Sequence, residues 1–233
     1  MPHSAAIVGG EAEIEGKSMT EPSSDPLQAE KDALAEATMS HAAFDGWTGT
    51  ALAAGARDLG KAPEEAERLF PGGAVEVIDW VDTRATARML EALAARDLSG
   101  LKIREKIALA IRLRLEPLTA HREALRRASS VMALPFNAPK AASALYRTVD
   151  AMWYGIGDRS TDFNFYSKRA LLAGVYGSTV LVWFYDRSED QSKTWEFLHR
   201  RIEDVMRIEK AKASLRDFWS RGPLAGVRPS TPR

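Results

Sequence analysis

The chain has 233 residues, enough for one sizeable core, with 45% apolar and 27% charged side chains, the proportions of an ordinary globular protein. Its 32 basic and 32 acidic side chains balance, so bulk charge favours neither nucleic acid nor membrane. The lack of cysteine excludes disulfides, thiolate catalysis and thiolate-ligated zinc or iron–sulfur sites, and suits a reducing compartment.

Residues 1–27 show no hydrophobic period and read as a disordered tail. Residues 1–40 carry eight acids against Lys17 and Lys31, a net of −6, and no arginine precedes Arg57. That is neither an apolar signal core nor a mitochondrial transit pattern, so a cytoplasmic protein is expected. From there to about Ser220 apolar residues recur at spacings of three and four, and no stretch alternates with a strand period. Breakers such as Gly46, Gly60, Pro71, Gly100, Pro117, Pro135 and Gly157 divide this region. Helices are predicted over 29–42, 48–59, 62–69, 74–97, 102–115, 119–133, 138–155, 161–185 and 193–220. The fold class is all-α, a helical bundle. A three-helix module is expected over 28–73, a larger helical domain over 74–220 and a loose tail over 221–233.

The first three helices, with Gly46-Trp47-Thr48, Gly60 and Phe70-Pro71 between and after them, resemble in layout the helix-turn-helix end of TetR-type regulators. A DNA-binding regulator with a hydrophobic ligand pocket is therefore the alternative reading. Charge argues against it. The short helix that would enter the major groove carries Glu64, Glu65 and Glu67 against Arg68, and these acids repel phosphate. A degenerate module without a nucleic-acid partner is the expectation.

Further along, Ile103, Ile107, Ala110, Ile111 and Leu115 form an apolar stripe, with Arg104, Lys106, Arg112 and Arg114 assigned to a solvated basic face. In 138–155, Ala142, Leu145, Val149, Met152 and Trp153 read as core.

The helix predicted over 161–185 starts where Ser160 or Thr161 can cap and Asp162 complements the dipole. Phe163, Ser167, Ala170, Gly174, Gly177 and Leu181 fall on one stripe, mostly of small residues. The 16 residues Ala170 to Tyr185 are uncharged, too few to span a bilayer, so this half is expected to be buried on all sides. A glycine costs a helix about 1 kcal/mol relative to alanine, which calls for close approach of another helix or of a ligand. If the reason is a ligand, the candidates for lining a cavity for an apolar guest are Trp153, Ala170, Leu171, Gly174, Val175, Gly177, Ser178 and Leu181.

The string GDRSTDFNFYSKRALLAGVYGST, from Gly157, resembles the signature of the coenzyme Q (ubiquinone) biosynthesis protein 9 family. LYRTVDAMWYGIGD, WFYDRS, TWEFLHRRIEDVMRIEK, LFPGGAVEVIDW and ALPFNAP resemble the same family in order and spacing, over roughly residues 40–210. The resemblance implies a TetR-like fold whose larger helical part binds isoprenoid quinone precursors or other lipid. It also implies presentation of that lipid to the di-iron demethoxyubiquinone hydroxylase at the membrane surface. Asp162, Phe163, Asn164, Phe165, Tyr166 and Arg169 would then be an exposed docking patch. Phe165 stands where the family typically carries Trp, which keeps an apolar anchor and loses the indole donor.

In the last helix Trp195, Leu198, Ile202, Val205 and Met206 share a face, and Ile208, Ala211, Leu215, Phe218 and Trp219 form a second stripe rotated by nearly half a turn. Either the helix breaks near 210–214 or the distal stripe meets something else. Residues 196–233 hold nine bases against five acids, a net of +4, which suits an anionic bilayer. The family resemblance likewise implies a terminal amphipathic helix, with Leu215, Phe218 and Trp219 as membrane-binding residues and the inner (cytoplasmic) membrane as the location. Docking back on the protein itself, or on a second copy as a homodimer, is the other use of that stripe. His3, His41, His121 and His199 are scattered, and no Glu-x-x-His pair, phosphate loop or nucleophile elbow is present, so neither catalysis, cofactor nor metal is expected.

Overall fold

The computed structural model describes residues 25–158 and 164–221, with side chains described through 208 except that of 164. Among them are nine α-helices and no strand: α1 Pro26–Asp45, α2 Gly49–Asp58, α3 Pro63–Leu69, α4 Gly73–Ala94, α5 Ile103–Leu115, α6 Arg122–Met132, α7 Ala138–Gly155, α8 Asn164–Tyr185 and α9 Ser192–Arg221. Short 3₁₀ turns at Glu116–His121 and Glu189–Gln191 fill two of the joints. Every helix expected from apolar spacing is present. Its ends are set by capping chemistry that spacing does not report. Asp25 accepts from the Leu27 N–H at 3.1 Å, so α1 begins at Pro26 and takes in residues read as tail. Thr48 caps α2 by accepting from the Ala51 N–H, and Glu105 accepts from the Lys102 N–H at the start of α5.

Two cores share the bundle. The first gathers Leu34, Met39, Trp47, Leu52, Phe70 and Val77, and takes in Ala124, Ala128 and Met132 of α6. The Trp47 indole N–H donates to the Ala124 carbonyl at 2.7 Å, tying the loop after α1 to α6. Close approach of α1 and α2 depends on Gly55, where a Cβ would lie 2.8 Å from the Thr38 backbone nitrogen. The second core holds Met89, Leu93, Ile111, Val149, Met152, Trp183, Trp195 and Leu198. Because Val77 and Val81 of α4 serve the first core and Met89 and Leu93 the second, this one helix runs through both.

Two expectations about faces change. Arg114 is not on a solvated face: it is 3% exposed, and its Nε donates to the Tyr176 hydroxyl at 3.0 Å while Nη2 pairs with Asp82 and contacts Thr148. Burial opposes its charge, but Tyr176 and Asp82 outweigh that, and its pKa is raised. Ala142 is exposed, because the buried face of α7 runs through Thr148, Val149, Met152 and Trp153 instead.

Candidate functional site

Helix α7 stops at a turn in which Gly157 takes φ +91°, with the Asp158 N–H returning to the Trp153 carbonyl at 3.0 Å. Such a left-handed residue is what glycine permits at a helix C-terminus. The turn leaves Asp158 facing α8, where the Lys168 ammonium pairs with it at 3.3 Å and lies 5.6 Å from the centre of the Trp153 ring. At the far end of α8, Asp186 joins the helix to α9. Its carboxylate accepts from the Ser188 N–H and hydroxyl at 2.8 and 2.5 Å, and from the Thr194 N–H and hydroxyl at 2.8 and 2.6 Å. Burial pushes this carboxyl up, but the four hydrogen bonds outweigh it and hold the pKa at about 2.

Between these two joints lies a cavity of about 370 Å³, walled by Ile103, Arg104 and Ile107 of α5, Trp153 of α7, Ser167, Lys168, Leu171, Leu172 and Val175 of α8, and Ile202, Val205 and Met206 of α9. The volume falls in the range of small-molecule pockets, about 300–1,000 Å³. Ile103 is exposed and Ile107 half-buried, so the N-terminal end of the α5 stripe walls the cavity, with Ile107 also packed against the second core. A second cavity, of about 210 Å³, opens beside Arg114, Thr148, Leu145, Tyr176 and Val180. Its charged wall is a residue set that sequence reasoning missed. The signal was present, since Arg114 is three positions from Ile111 and seven from Ile107 and so shares their side of the helix.

Three of the eight candidate lipid-binding residues, Trp153, Leu171 and Val175, come together on the first cavity. The others do not. Ala170, Gly174 and Leu181 are exposed, Leu181 to 60%, while Gly177 and Ser178 are half-buried. The uncharged half of α8 is thus not buried on all sides, and its outer face is a stripe of small and apolar residues open to the surroundings. A Cβ built on Gly174 or Gly177 would meet nothing within 4 Å among the described residues, so no helix of this fold approaches closely there.

Of the docking candidates, Asp162 and Phe163 lie outside the described residues, as does the side chain of Asn164. Tyr166 is 72% exposed and meets the half-buried Phe165 edge-on, ring centres 5.1 Å apart. Arg169 is not exposed. It is buried, bonds Asp150 at 2.6 Å and places its guanidinium 3.3 Å from the Phe165 ring centre. Its role is to support the aromatic pair from beneath. Of the two alternatives for the last helix, the break is not found: α9 runs unbroken from Ser192 to Arg221. Leu215, Phe218 and Trp219 have side chains outside the described set, but Ile208, the first residue of the distal stripe, is 49% exposed.

The profile of the COQ9 family matches residues 138–209, the segment that supplies α7, α8 and most of α9. Over this segment the chain is similar to the COQ9 family. A rat relative, "Ubiquinone biosynthesis protein COQ9, mitochondrial", is 39% identical over 170 residues, covering 70% of this chain and 54% of its own length. The human protein of the same name is 37% identical over 169 residues, 70% of this chain and 53% of its own. That of Drosophila melanogaster is 30% identical over 209 residues, covering 86% and 64%. The chain therefore spans between about half and two thirds of these COQ9 relatives. Among solved structures, a TetR transcriptional regulator from Nitrosomonas europaea superposes with a TM-score of 0.63 at 23% identity, covering 75% of this chain and 97% of the regulator. The fold is all-α and TetR-like. Among the described residues no helix is long and apolar enough to cross a membrane.

Proposed function

We propose that this chain is a non-catalytic, lipid-binding accessory protein of ubiquinone biosynthesis. It would hold an isoprenoid quinone intermediate in the cavity between α5, α7, α8 and α9 and present it to the di-iron demethoxyubiquinone hydroxylase at the inner membrane surface. The observation that carries this reading is a coincidence of place. Nine of the twelve residues walling the 370 Å³ cavity lie within the segment that matches the COQ9 profile, and relatives sharing that segment are named for ubiquinone biosynthesis. A mostly hydrocarbon lining suits an apolar guest. The polar pairs His41–Asp58 and His121–Glu36 do not line the cavity, and among the described residues no three His, Cys, Asp or Glu side chains gather for a metal. In this reading the redox chemistry would belong to the partner.

The regulator reading has less support. Lys61, the cation just before α3, is engaged by Glu30 at 2.5 Å and Glu65 at 3.7 Å, and Glu64 and Glu65 occupy the first turn of α3. The test is to denature purified protein and analyse the extract by mass spectrometry. An isoprenoid or quinone in the extract, or one that loads on incubation, is the expected result. An empty protein that accepts none would remove lipid binding from the account.

A further inference from the structure

Trp153 is 7% exposed and walls the cavity, and its indole N–H is buried with no acceptor among the described residues. A buried donor left unpaired costs about 1–3 kcal/mol, and folded proteins hold few of them. The wall around it is unequal. Ser167 and Lys168 bring a hydroxyl and an ammonium to the N-terminal end of the α8 wall, while Leu171, Leu172 and Val175 continue it as hydrocarbon. At 1.5 Å per residue the two ends are about 10 Å apart. Lys168 also lies 5.6 Å from the Trp153 ring centre, so the indole ring and the positive charge share one end.

We propose that this end is an acceptor-binding subsite. The Trp153 N–H donates to an oxygen on the ring of a bound amphiphile, a quinone carbonyl or ring ether, and the isoprenyl chain lies along Leu171, Val175 and Ile202. This rests on the lipid-holding reading and adds an orientation to it. The ring would sit at the α7–α8 end, a turn or less along α8 from Phe165 and Tyr166, so the reactive part of the guest lies nearest the docking surface. A pocket of 370 Å³ takes a substituted ring and the first isoprene units, leaving a longer tail to emerge.

The probes are a dimethoxy-methyl-benzoquinone bearing one isoprenyl unit and a prenylbenzene of similar shape without ring oxygens. Trp153→Phe keeps most of the apolar area and deletes the donor. It is expected to weaken the quinone about three- to tenfold, the worth of one neutral hydrogen bond, and to leave the prenylbenzene within twofold. Val175→Phe fills the hydrocarbon end and is expected to weaken both. Should Trp153→Phe fail to fold, the ¹H–¹⁵N indole spectrum of the wild-type protein gives the same answer: one buried indole signal moves downfield with the quinone and not with the prenylbenzene. Equal effects of Trp153→Phe on both probes, or an indole signal indifferent to the quinone, overturn the orientation while lipid holding stands. Loss of neither probe in Val175→Phe places the guest elsewhere and overturns it too. If the wild-type protein binds neither probe, lipid holding itself fails.

Discussion

Asp186 accepts four hydrogen bonds at the α8–α9 joint, two of them from the backbone, and its carboxyl titrates at about 2 against an ordinary 3.8. A carboxyl whose pKa is lowered by folding stabilises the native state above its unfolded pKa, and that stabilisation is lost as pH falls through the folded value. Wild-type protein is therefore expected to lose about 2 kcal/mol from this group between pH 5 and pH 2. The measurement is denaturant unfolding of wild type and Asp186→Ala across that range. The gap between the two should close as pH falls, and a constant gap would show that the carboxylate charge contributes nothing. Nearer the cavity, Tyr166 and Phe165 form an aromatic edge held up by Arg169 and Asp150. Phe165→Ala with Tyr166→Ala is expected to weaken hydroxylase binding at least tenfold, on the order of 1.4 kcal/mol, while bound lipid and thermal midpoint stay unchanged. Equal affinity in a pull-down titration would take this surface out of the proposal. Arg169→Ala differs, since it removes a buried side chain that packs on Phe165 and pairs with Asp150, and it is expected to destabilise the fold as well.

At the scale of the element, one substitution in two helices should have opposite signs. In α2, Gly55→Ala drives a methyl against the Thr38 backbone, so it is expected to cost about 1–3 kcal/mol by overpacking. In α8, Gly174→Ala meets nothing within 4 Å and should stabilise by up to about 1 kcal/mol through helix propensity. Chemical denaturation at low protein concentration reads both. A fall in stability for Gly174→Ala would mean that another surface packs on the outer face of α8, as a homodimer would require. The same comparison shows what the sequence made legible. Spacings of three and four located all nine helices, because that period is imposed by burial of one face. They did not orient α8. A face of Ala170, Gly174 and Leu181 carries no charge whether it is buried or open, so pattern alone cannot separate the two. Arg114 and Arg169 were misplaced for the converse reason. A charge normally marks the solvent side, and only the partners Asp82, Tyr176 and Asp150, from 19 to 62 residues away in the chain, let these two face inward.

Over the whole molecule, the two ends of the chain differ in what they offer. The N-terminal helices close on their own core through Trp47 and Gly55, whereas the C-terminal helices enclose space between them. The larger of the two cavities described needs walls from α5, α7, α8 and α9 at once, an arrangement set by packing angles that no local pattern encodes. Helix α9 belongs to that wall through Ile202, Val205 and Met206 and then continues without a break for 15 residues to Arg221, about 22 Å of helix at 1.5 Å per residue. In the sequence the second stripe is rotated by nearly half a turn from the face that includes Trp195 and Leu198, and Ile208, its first residue, faces outward. With Lys210, Lys212, Arg216 and Arg221 alongside, the distal part of α9 is proposed to lie on an anionic bilayer, which would bring the edge of the cavity to the lipid surface. Truncation after Ser214 removes Leu215, Phe218 and Trp219 and is expected to reduce flotation with anionic vesicles several-fold. The effect should be smaller with neutral vesicles, and the untruncated chain should lose flotation as salt rises. Flotation that is unchanged by the truncation would assign the stripe to protein packing and detach the cavity from the membrane.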